Sequence, residues 1–298
     1  MDKILISIII PCYNQGQYLP ETLNSLLAQT CASWECIMVN DGSTDNTKEV
    51  AQSFCVKDNR FIYLEVPNGG PSAARNVALR MAKGIFIQFL DSDDILATNK
   101  LQFQLDAINE YGKEAASNII FYSSARYFTD NEPDARTVFK FGSDNLIAQF
   151  ELTYDEPNQE RAVLIRNPLV ISSSFYPRGL FDAIGLFDES LQTFEDYDLH
   201  IRAIFSGYKF HYIGYHSDAI VLIRLHPKSL SRQPKPMEDG DKKLWEKHIK
   251  NSPKIALLKH QLDKELNGES SITKNIVRAI TPPFIWDAVR LILRKSNT

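Results

Sequence analysis

The chain has 298 residues, of which 44% are hydrophobic and 23% are charged, and its formal net charge is −4. This composition is typical of a globular protein and excludes a disordered, collagen-like or disulfide-dense chain. The absence of excess positive charge argues against nucleic acid as the main partner.

The beginning of the chain, MDKILISIIIPCYN, predicts a buried first strand. Its charged start is minimal, its apolar run is short and no small-residue cleavage site follows, so a signal peptide is not expected. The four cysteines form no CxxC pair and have no His at zinc-finger spacing, which favours reduced thiols and a cytoplasmic protein. No apolar stretch of the sequence is long enough to span a bilayer.

Strands and helices alternate over the first third of the chain. The pattern predicts strands at Leu5–Ile10, Trp34–Val39, Phe61–Val66 and Ile85–Leu90, each followed by a helical stretch. Because these strands are apolar throughout, we expect an α/β fold with a mostly parallel central sheet and helices on both faces.

The middle of the chain is more mixed. Asn118–Phe128 predicts one strand, and Asp130–Ala162 is polar and gives no clear element. A short helix, a loop, a longer helix closed by Gly207 and two strands are expected next. The stretch SRQPKPMEDG at 231–240 predicts a linker, and the sequence after it is helical in pattern.

Three of the first four predicted strands end in polar residues: PCYN, NDGSTD and DSDD. In an open parallel sheet the carboxyl ends of the strands lie together, and ligands bind outside them. This convergence indicates one site more strongly than any single motif does.

In DSDD, Asp91 and Asp93 point to the same side of an extended segment and can share one cation. Hard cations such as Mg²⁺ are commonly held by one or two carboxylates together with substrate phosphates. The alternative is a helix cap or a solvated turn, and Asp94 is expected to be a turn or cap residue.

NDGSTD places Asp41 at a strand end, where its carboxylate can accept an N–H from the edge of a base. Gly42 and Ser43 would allow close approach of a ligand. The alternative is an Asx-type turn leading into a helix capped by Thr44 or Asp45.

Arg75 in PSAARN lies near the start of a helix, where a guanidinium can meet a nucleotide; an exposed surface Arg is the alternative. Tyr13 can stack on a base or pack against neighbouring side chains.

In FEDYDLHIRA, Glu195 and Asp196 begin a helix. They are either capping residues or provide a general base aimed into the cleft, and Asp198 is expected to be a helix-turn residue. His226 in RLHPKSLS could reach a metal or phosphate or pack structurally.

Taken together, IIIPCYN, VNDGSTD, GPSAARN, FLDSDD, GLFDES, FEDYDLHIRA and RLHPKSLS resemble, in order and spacing, the family 2 glycosyltransferases with the GT-A (Rossmann-like) fold. The resemblance runs from Ile4 to about Ser231. One mild departure is Leu186, where the family commonly has a second Gly.

The resemblance implies an inverting transfer from a nucleotide sugar, with uridine the favoured base by family habit, and a divalent cation, Mn²⁺ or Mg²⁺. It implies Asp196 as the catalytic base with Glu195 beside it, and Asp93, Asp91 and His226 around the metal. The nucleotide-sugar-binding residues it implies are Pro11, Tyr13, Asn14, Asp41, Gly42, Ser43, Arg75, Asp91 and Asp93. A saccharide or lipid-linked saccharide acceptor is expected, as in the synthesis of cell-surface polysaccharide or glycolipid.

The predicted organisation is a GT-A catalytic domain at 1–230, with a nucleotide-binding half at 1–100 and an acceptor half at 101–230. The linker at 231–240 and a C-terminal helical extension at 241–298 complete the chain.

The tail at 272–298 carries five basic residues against a single acidic one, and TPPFIWDAVRLILRK has a wide apolar face. Such a helix is typical of one lying in a membrane interface, here on the inner face of the membrane. The alternative is docking on the catalytic domain or on a second subunit of a homodimer.

Two other functions use similar parts. A sugar-phosphate nucleotidyltransferase would carry a Gly-rich basic loop after the first strand, whereas PCYNQGQYL is neither Gly-rich nor basic. A non-catalytic nucleotide-sugar-binding protein is expected instead of an enzyme if Asp196 points away from the cleft. A glycoside hydrolase would have no need for a nucleotide-type first half.

Overall fold

In the computed structural model, a seven-stranded sheet carries helices on both of its faces. The structure describes residues 6–112, 115–130, 156–165, 167, 169–214, 216–226 and 234–267. Within these residues the strands are β1 (Ile6–Cys12), β2 (Trp34–Asp41), β3 (Phe61–Val66), β4 (Phe86–Phe89), β5 (Ile95–Leu96), β6 (Ile119–Tyr122), β7 (Ala125–Phe128), β8 (Ser174–Pro177), β9 (Lys209–Tyr212) and β10 (Val221–Arg224). The α-helices are α1 (Leu19–Leu27), α2 (Thr47–Lys57), α3 (Pro71–Met81), α4 (Lys100–Tyr111), α5 (Glu156–Ile165), α6 (Gly179–Ile184), α7 (Glu195–Phe205), α8 (Pro234–Asn251) and α9 (Pro253–Asn267).

The strand order of the large sheet is β3-β2-β1-β4-β8-β6-β9. Neighbours from β3 to β4 are parallel, as are β6 and β9, and β8 is antiparallel to both β4 and β6. The chain builds β2 and β3 on one side of β1 and then places β4 on its other side, so the order reverses between β1 and β4. In open α/β sheets this reversal is where ligands bind, outside the carboxyl ends of the strands.

Alternate residues of β1 enter two separate hydrophobic cores. Ile9 packs on one face of the sheet in a cluster that includes Ala78 of α3. Ile8 and Ile10 pack on the other face in a cluster that includes Leu23 of α1. The two-residue repeat of a strand sends its side chains to opposite faces, and both faces are covered here. The prediction of a mostly parallel sheet with helices on both faces is confirmed.

The single strand predicted at Asn118–Phe128 is wrong, because the chain changes sheets within it. β6 belongs to the large sheet, whereas β7 belongs to a three-stranded sheet of order β5-β10-β7. The change falls between two serines. The Ser123 N–H donates to the Ser173 carbonyl beside the large sheet, and the Ser124 carbonyl accepts the N–H of Val221 in β10.

The linker predicted at 231–240 is corrected over 234–240, which forms the first part of α8. Prolines are compatible with a first helical turn, because its backbone N–H groups have no partner within the helix. Gly240 lies so close to the loop before α7 that a Cβ at this position would be 1.9 Å from Thr193 Oγ1. The Thr193 hydroxyl donates to the Pro236 carbonyl at 2.9 Å, so this stretch is packed against the loop before α7.

The predicted C-terminal helical extension is confirmed as far as residue 267, the end of α9. The segment 272–298, for which the sequence predicts a membrane-interface helix, lies outside the described residues. Among the described helices, none combines the length and apolar character that crossing a bilayer requires.

Candidate active site

The loops after β1 and β2 are tied together by Asn14. Its backbone N–H donates to Ser43 Oγ at 3.0 Å, and its side-chain oxygen accepts the Thr44 N–H at 2.8 Å. Asn14 has a φ of 52°, in the left-handed region that Asn tolerates better than most residues. Gly42 has a φ of 72°, and a Cβ there would lie 3.0 Å from the Asn68 nitrogen. These residues shape the mouth of the site.

Pro11 and Tyr13 flank the same edge of the sheet. Pro11 lies in β1 opposite Val39, and Tyr13 is 51% exposed just beyond the strand. An aromatic ring that is exposed at the carboxyl edge of a parallel sheet is available for stacking on a planar group.

Asp41 organises the loop that leads into α3. The side chain is buried, and its two oxygens accept the N–H groups of Gly69 at 2.7 Å and Gly70 at 2.8 Å. The amide of Asn68 also donates to the Asp41 carbonyl. These contacts were not predicted from the sequence, and a role for Asp41 in base binding stays a prediction.

Asp45 supports the start of α2 from one position before the N-cap residue Asn46. Its carboxylate accepts the Thr47 N–H at 3.0 Å and the Gly16 N–H at 2.9 Å. It therefore joins the loop after β1 to the first turn of α2, which is close to the capping role that the sequence suggests.

Arg75 is buried, so the alternative of an exposed surface Arg is wrong. Its Nη1 lies 2.7 Å from Glu195 Oε1, and its Nη2 lies 2.8 Å from Asp91 Oδ1. The two carboxylates raise the pKa of Arg75 although burial acts in the opposite direction. One guanidinium thus joins the DSDD segment to the first residue of α7.

Asp93 pairs with His226, as Oδ2 and Nε2 are 2.8 Å apart. Both side chains are largely buried, with 17% of Asp93 and 6% of His226 exposed, whereas Asp91 is 40% exposed. The His226 ring also packs on Tyr18, with 5.2 Å between ring centroids. The RLH segment and the DSDD segment therefore meet in space, 133 residues apart in the chain.

Asp94 is a buried structural carboxyl. It accepts the Arg224 N–H at 3.0 Å and the Ser172 hydroxyl at 3.3 Å, and its own N–H closes a turn to the Asp91 carbonyl. The Arg224 side chain is 2% exposed, and its Nε donates to the Asp93 carbonyl. Sequence reasoning missed Arg224, although it stands two residues before His226.

No group of three or more acidic, His or Cys side chains placed to hold a metal occurs among the described residues. The side chains present fit a metal site that is completed by the substrate. Asp93 and Asp91 supply hard carboxylate oxygens, which suit Mg²⁺ or Mn²⁺, and such sites commonly use one or two carboxylates with substrate phosphates completing the shell. His226 lies beside Asp93, within reach of the same ion or as its hydrogen-bonded support.

Asp196 lies in the first turn of α7, partly buried, after Phe194, which has a left-handed φ of 62°. A non-glycine residue in that region is strained, and such strain is concentrated at functional sites. Asp196 Oδ1 accepts the Tyr197 N–H, and Oδ2 accepts the Asn167 amide, both at 2.7 Å. Burial, together with the negative charge of Glu195, raises the pKa of Asp196 to about 7.

Asn167 and Asp198 also shape this region, and sequence reasoning missed both roles. Asn167 follows a stretch without any motif, and its partner is 29 residues away, so the sequence carried no signal for it. Asp198, expected as a helix-turn residue, is fully buried and pairs with Arg202, Lys247 and His248. It therefore fastens α8 to α7.

Comparison with known proteins identifies a family whose sequences match this chain. The family model described as "Glycosyl transferase family 2" matches residues 7–165, more than half of the chain. An uncharacterized glycosyltransferase of Rickettsia prowazekii is 30% identical over 262 residues, covering 85% of this chain and 74% of the relative. A longer relative from Rickettsia conorii is also 30% identical, and this chain spans 40% of its length. The uncharacterized glycosyltransferase EpsJ of Bacillus subtilis is 27% identical, covering 96% of this chain and 86% of that protein.

Solved structures show the same fold. TarS residues 1–349 from S. aureus is 26% identical with a TM-score of 0.54, covering 74% of this chain and 60% of TarS 1–349. The mannosyltransferase PcManGT of Pyrobaculum calidifontis, solved with GDP-Man and Mn²⁺, is 16% identical with a TM-score of 0.60, covering 98% and 79%. The predicted GT-A fold and the predicted family are both confirmed. The chain belongs to glycosyl transferase family 2.

Proposed function

We propose that the protein is an inverting glycosyltransferase that moves a sugar from a nucleoside diphosphate sugar to an acceptor hydroxyl. The observation that carries the proposal is the linked acidic cluster at the start of α7 and the end of β4. Asp196 has its pKa raised to about 7, and its neighbour Glu195 is joined through Arg75 to Asp91. A base with a pKa near neutrality is suited to proton abstraction at physiological pH.

The donor would lie across the carboxyl edge of β1, β2 and β4. Tyr13, which is exposed at this edge, would stack on the base, and the loops shaped by Asn14, Gly42 and Ser43 would form the surrounding wall. Asp41 lies behind this wall, held by the backbone of the loop before α3. Uridine is the base that we favour, because TarS from S. aureus was solved with UDP and with UDP-GlcNAc.

The diphosphate would lie at Asp91 and Asp93, with Mn²⁺ or Mg²⁺ held by these carboxylates and by His226 beside them. When bound, the cation neutralises charge on the departing diphosphate. Arg75 donates to Asp91 Oδ1 at 2.8 Å and keeps this oxygen occupied. The chain's own contribution here is therefore to orient one carboxylate through a buried guanidinium and the other through an imidazole.

Asp196 would take the proton of the acceptor hydroxyl while that oxygen forms a bond to the anomeric carbon. The bond from this carbon to the diphosphate oxygen breaks on the opposite face, so the configuration inverts. The two hydrogen bonds to Asp196, from Tyr197 N–H and the Asn167 amide, fix its carboxylate in place. General base assistance typically contributes roughly 10²- to 10⁴-fold in rate.

We place the acceptor among the saccharides or lipid-linked saccharides of cell-surface polysaccharide or glycolipid synthesis, with a hexosyl or N-acetylhexosaminyl donor. The reaction would occur in the cytoplasm, and the segment 272–298, outside the described residues, would provide any contact with the inner face of the membrane. The four cysteines, all among the described residues, are free thiols, as this compartment requires.

The direct test is turnover of a panel of UDP- and GDP-sugars by the purified chain with Mn²⁺, with release of the nucleoside diphosphate and products followed by mass spectrometry. We expect release from one class of donor, and a loss of roughly 10²- to 10⁴-fold in the variant Asp196→Asn with donor binding retained. Donor binding without turnover of any member of the panel would instead identify a non-catalytic nucleotide-sugar-binding protein.

A further inference from the structure

Behind Asp196 lies a chain of hydrogen bonds that reaches into the core. The Asn167 amide nitrogen donates to Asp196 Oδ2 at 2.7 Å, and Asn167 Oδ1 lies 2.9 Å from His200 Nδ1. His200 Nε2 lies 2.8 Å from the Tyr176 hydroxyl. His200 and Tyr176 are fully buried, so this series of hydrogen bonds runs from the site to the protein interior.

In this series of hydrogen bonds, each group's role as donor or acceptor is determined by its neighbour. A carboxylate only accepts hydrogen bonds, so Asn167 must turn its amide nitrogen to Asp196 and its carbonyl oxygen to His200. His200 must then carry its proton on Nδ1. Burial, together with the charge of Arg202, lowers the pKa of His200 to about 3, so the ring is neutral and Nε2 accepts the Tyr176 hydroxyl.

The orientation of Asn167 matters because its two ends have opposite effects on a carboxylate. The amide nitrogen stabilises ionised Asp196, whereas a flipped amide would place a carbonyl oxygen against it and favour the protonated acid. Asp196 also faces the negative charge of Glu195 on its own helix and the positive charge of Arg75 from α3. Tyr176 approaches from β8.

We propose that Asn167 is a positioning residue for Asp196, and that His200 and Tyr176 hold its amide in the orientation that keeps Asp196 ionised and aimed at the acceptor. The inference rests on the proposed function, in which Asp196 is the general base. It assigns to an otherwise motif-free position the task of opposing the effects of burial and of Glu195.

The first test compares pH profiles of kcat/KM for the wild type and Asn167→Ala. Loss of one hydrogen bond to a charged group should move the acid limb to higher pH by about one unit and lower the rate on that limb about tenfold. The donor KM should stay unchanged, because the Asn167 side chain hydrogen-bonds to Asp196 and His200, neither of which belongs to the proposed donor site. An acid limb that does not move would overturn the proposal.

A pair of variants at His200 separates orientation of the amide from loss of core packing. In His200→Asn the side-chain amide takes the place of Nδ1 and can still donate to Asn167, whereas in His200→Gln it takes the place of Nε2 and cannot. Both remove ring volume, so melting temperatures of both should fall. We expect the acid limb to stay in place in His200→Asn and to shift by about one unit in His200→Gln. Equal profiles would contradict the role of His200.

The tautomer of His200 can be read without any turnover, from ¹⁵N chemical shifts of the labelled protein. We expect protonated Nδ1 and bare Nε2, and the opposite tautomer would overturn the proposed orientation. This readout also separates the two ideas. A wild type that is inactive with every donor would overturn the proposed function whatever the tautomer of His200, whereas protonated Nε2 in an active enzyme would overturn the inference and leave the proposed function standing.

Discussion

Arg75 and Glu195 form a 2.7 Å ion pair that joins residues 120 positions apart in the chain. The same guanidinium binds Asp91 at 2.8 Å. Since Glu195 is the first residue of α7, this contact sets where the helix that carries Asp196 lies relative to the carboxyl end of β4. The segment that carries the proposed base and the proposed diphosphate site are therefore linked through one buried side chain.

We expect Arg75→Met to lower both stability and activity. Removing one partner of a buried ion pair typically costs roughly 3–5 kcal/mol, and the loss here should lie towards the low end of that range because the Asp91 side chain is 40% exposed. Expressed as a free energy, the loss in kcat should be at least as large as the loss in stability. Urea unfolding and kcat measure the two effects, and Arg80→Met, at an exposed position of the same helix, is the matched control. Identical losses in both variants would show that the bridge has no special role.

The raised pKa of Asp196 predicts how activity depends on pH. A base must be ionised to accept a proton, so kcat/KM should rise with pH and reach half its plateau near pH 7, the pKa to which burial and Glu195 raise this carboxyl. A profile that is flat from about pH 5 upwards would mean that the base is another residue or that Asp196 is ionised throughout.

The same pKa predicts an effect on stability. The folded chain holds the Asp196 proton more tightly than the unfolded chain, in which the pKa lies near 3.8, so this group's contribution to stability falls as pH rises from about 4 to about 7. Asp196→Asn removes the ionisable group and with it this pH-dependent loss of stability. The melting temperature of the variant should therefore gain on the wild type between about pH 5 and about pH 8. A difference that shrinks over this range would contradict the raised pKa.

His226 should tune the affinity for the cation without being needed for folding. We expect His226→Ala to raise the Mn²⁺ concentration for half-maximal activity roughly 10- to 100-fold, whether it binds the ion or supports Asp93. His216→Ala, at an exposed position outside the cluster, is the control. Equal Mn²⁺ dependence of the two variants would remove His226 from the metal site.

Asp198 should be essential for attaching α8. Its carboxylate is fully buried and meets Lys247 at 2.7 Å, Arg202 at 2.8 Å and His248 at 2.9 Å. These partners lower the pKa of Asp198 although burial acts in the opposite direction, so the stabilisation is present above about pH 4 and lost only in strong acid.

We therefore expect Asp198→Asn to cost roughly 3–5 kcal/mol at neutral pH, by leaving partly buried basic groups without a full countercharge. Asp239→Asn, on the exposed side of α8, should be within about 0.5 kcal/mol of the wild type. Urea unfolding at neutral pH compares the two. Similar stabilities would show that Asp198 is not needed to attach α8.

The sequence predicted the sheet and the acidic strand ends well, because local composition determines both. β3 begins and ends where the pattern places it, at Phe61 and Val66. The linker prediction failed at 234–240 because prolines and charges are as typical of a helix start as of a loop. Tertiary contacts distinguish the two, namely the packing of Gly240 on Thr193 and the hydrogen bond from Thr193 to the Pro236 carbonyl.

Within the site, residue types were predictable and partners were not. The carboxylates at Asp91, Asp93 and Asp196 belong to motifs, but the groups that hold them come from distant parts of the chain. Asn167 and His226 reach their partners across 29 and 133 residues. Side-chain hydrogen bonds over such separations leave no periodic pattern in a sequence.

The central claim is that the carboxyl edge of β1, β2 and β4 binds a nucleoside diphosphate together with a divalent cation. Isothermal calorimetry of UDP and GDP, with and without Mn²⁺, tests it most directly. We predict that Mn²⁺ strengthens binding of one diphosphate by about tenfold or more, and that Asp93→Asn abolishes this gain while Asp196→Asn keeps it. Binding that is the same with and without Mn²⁺, or no binding of either diphosphate, would contradict the account.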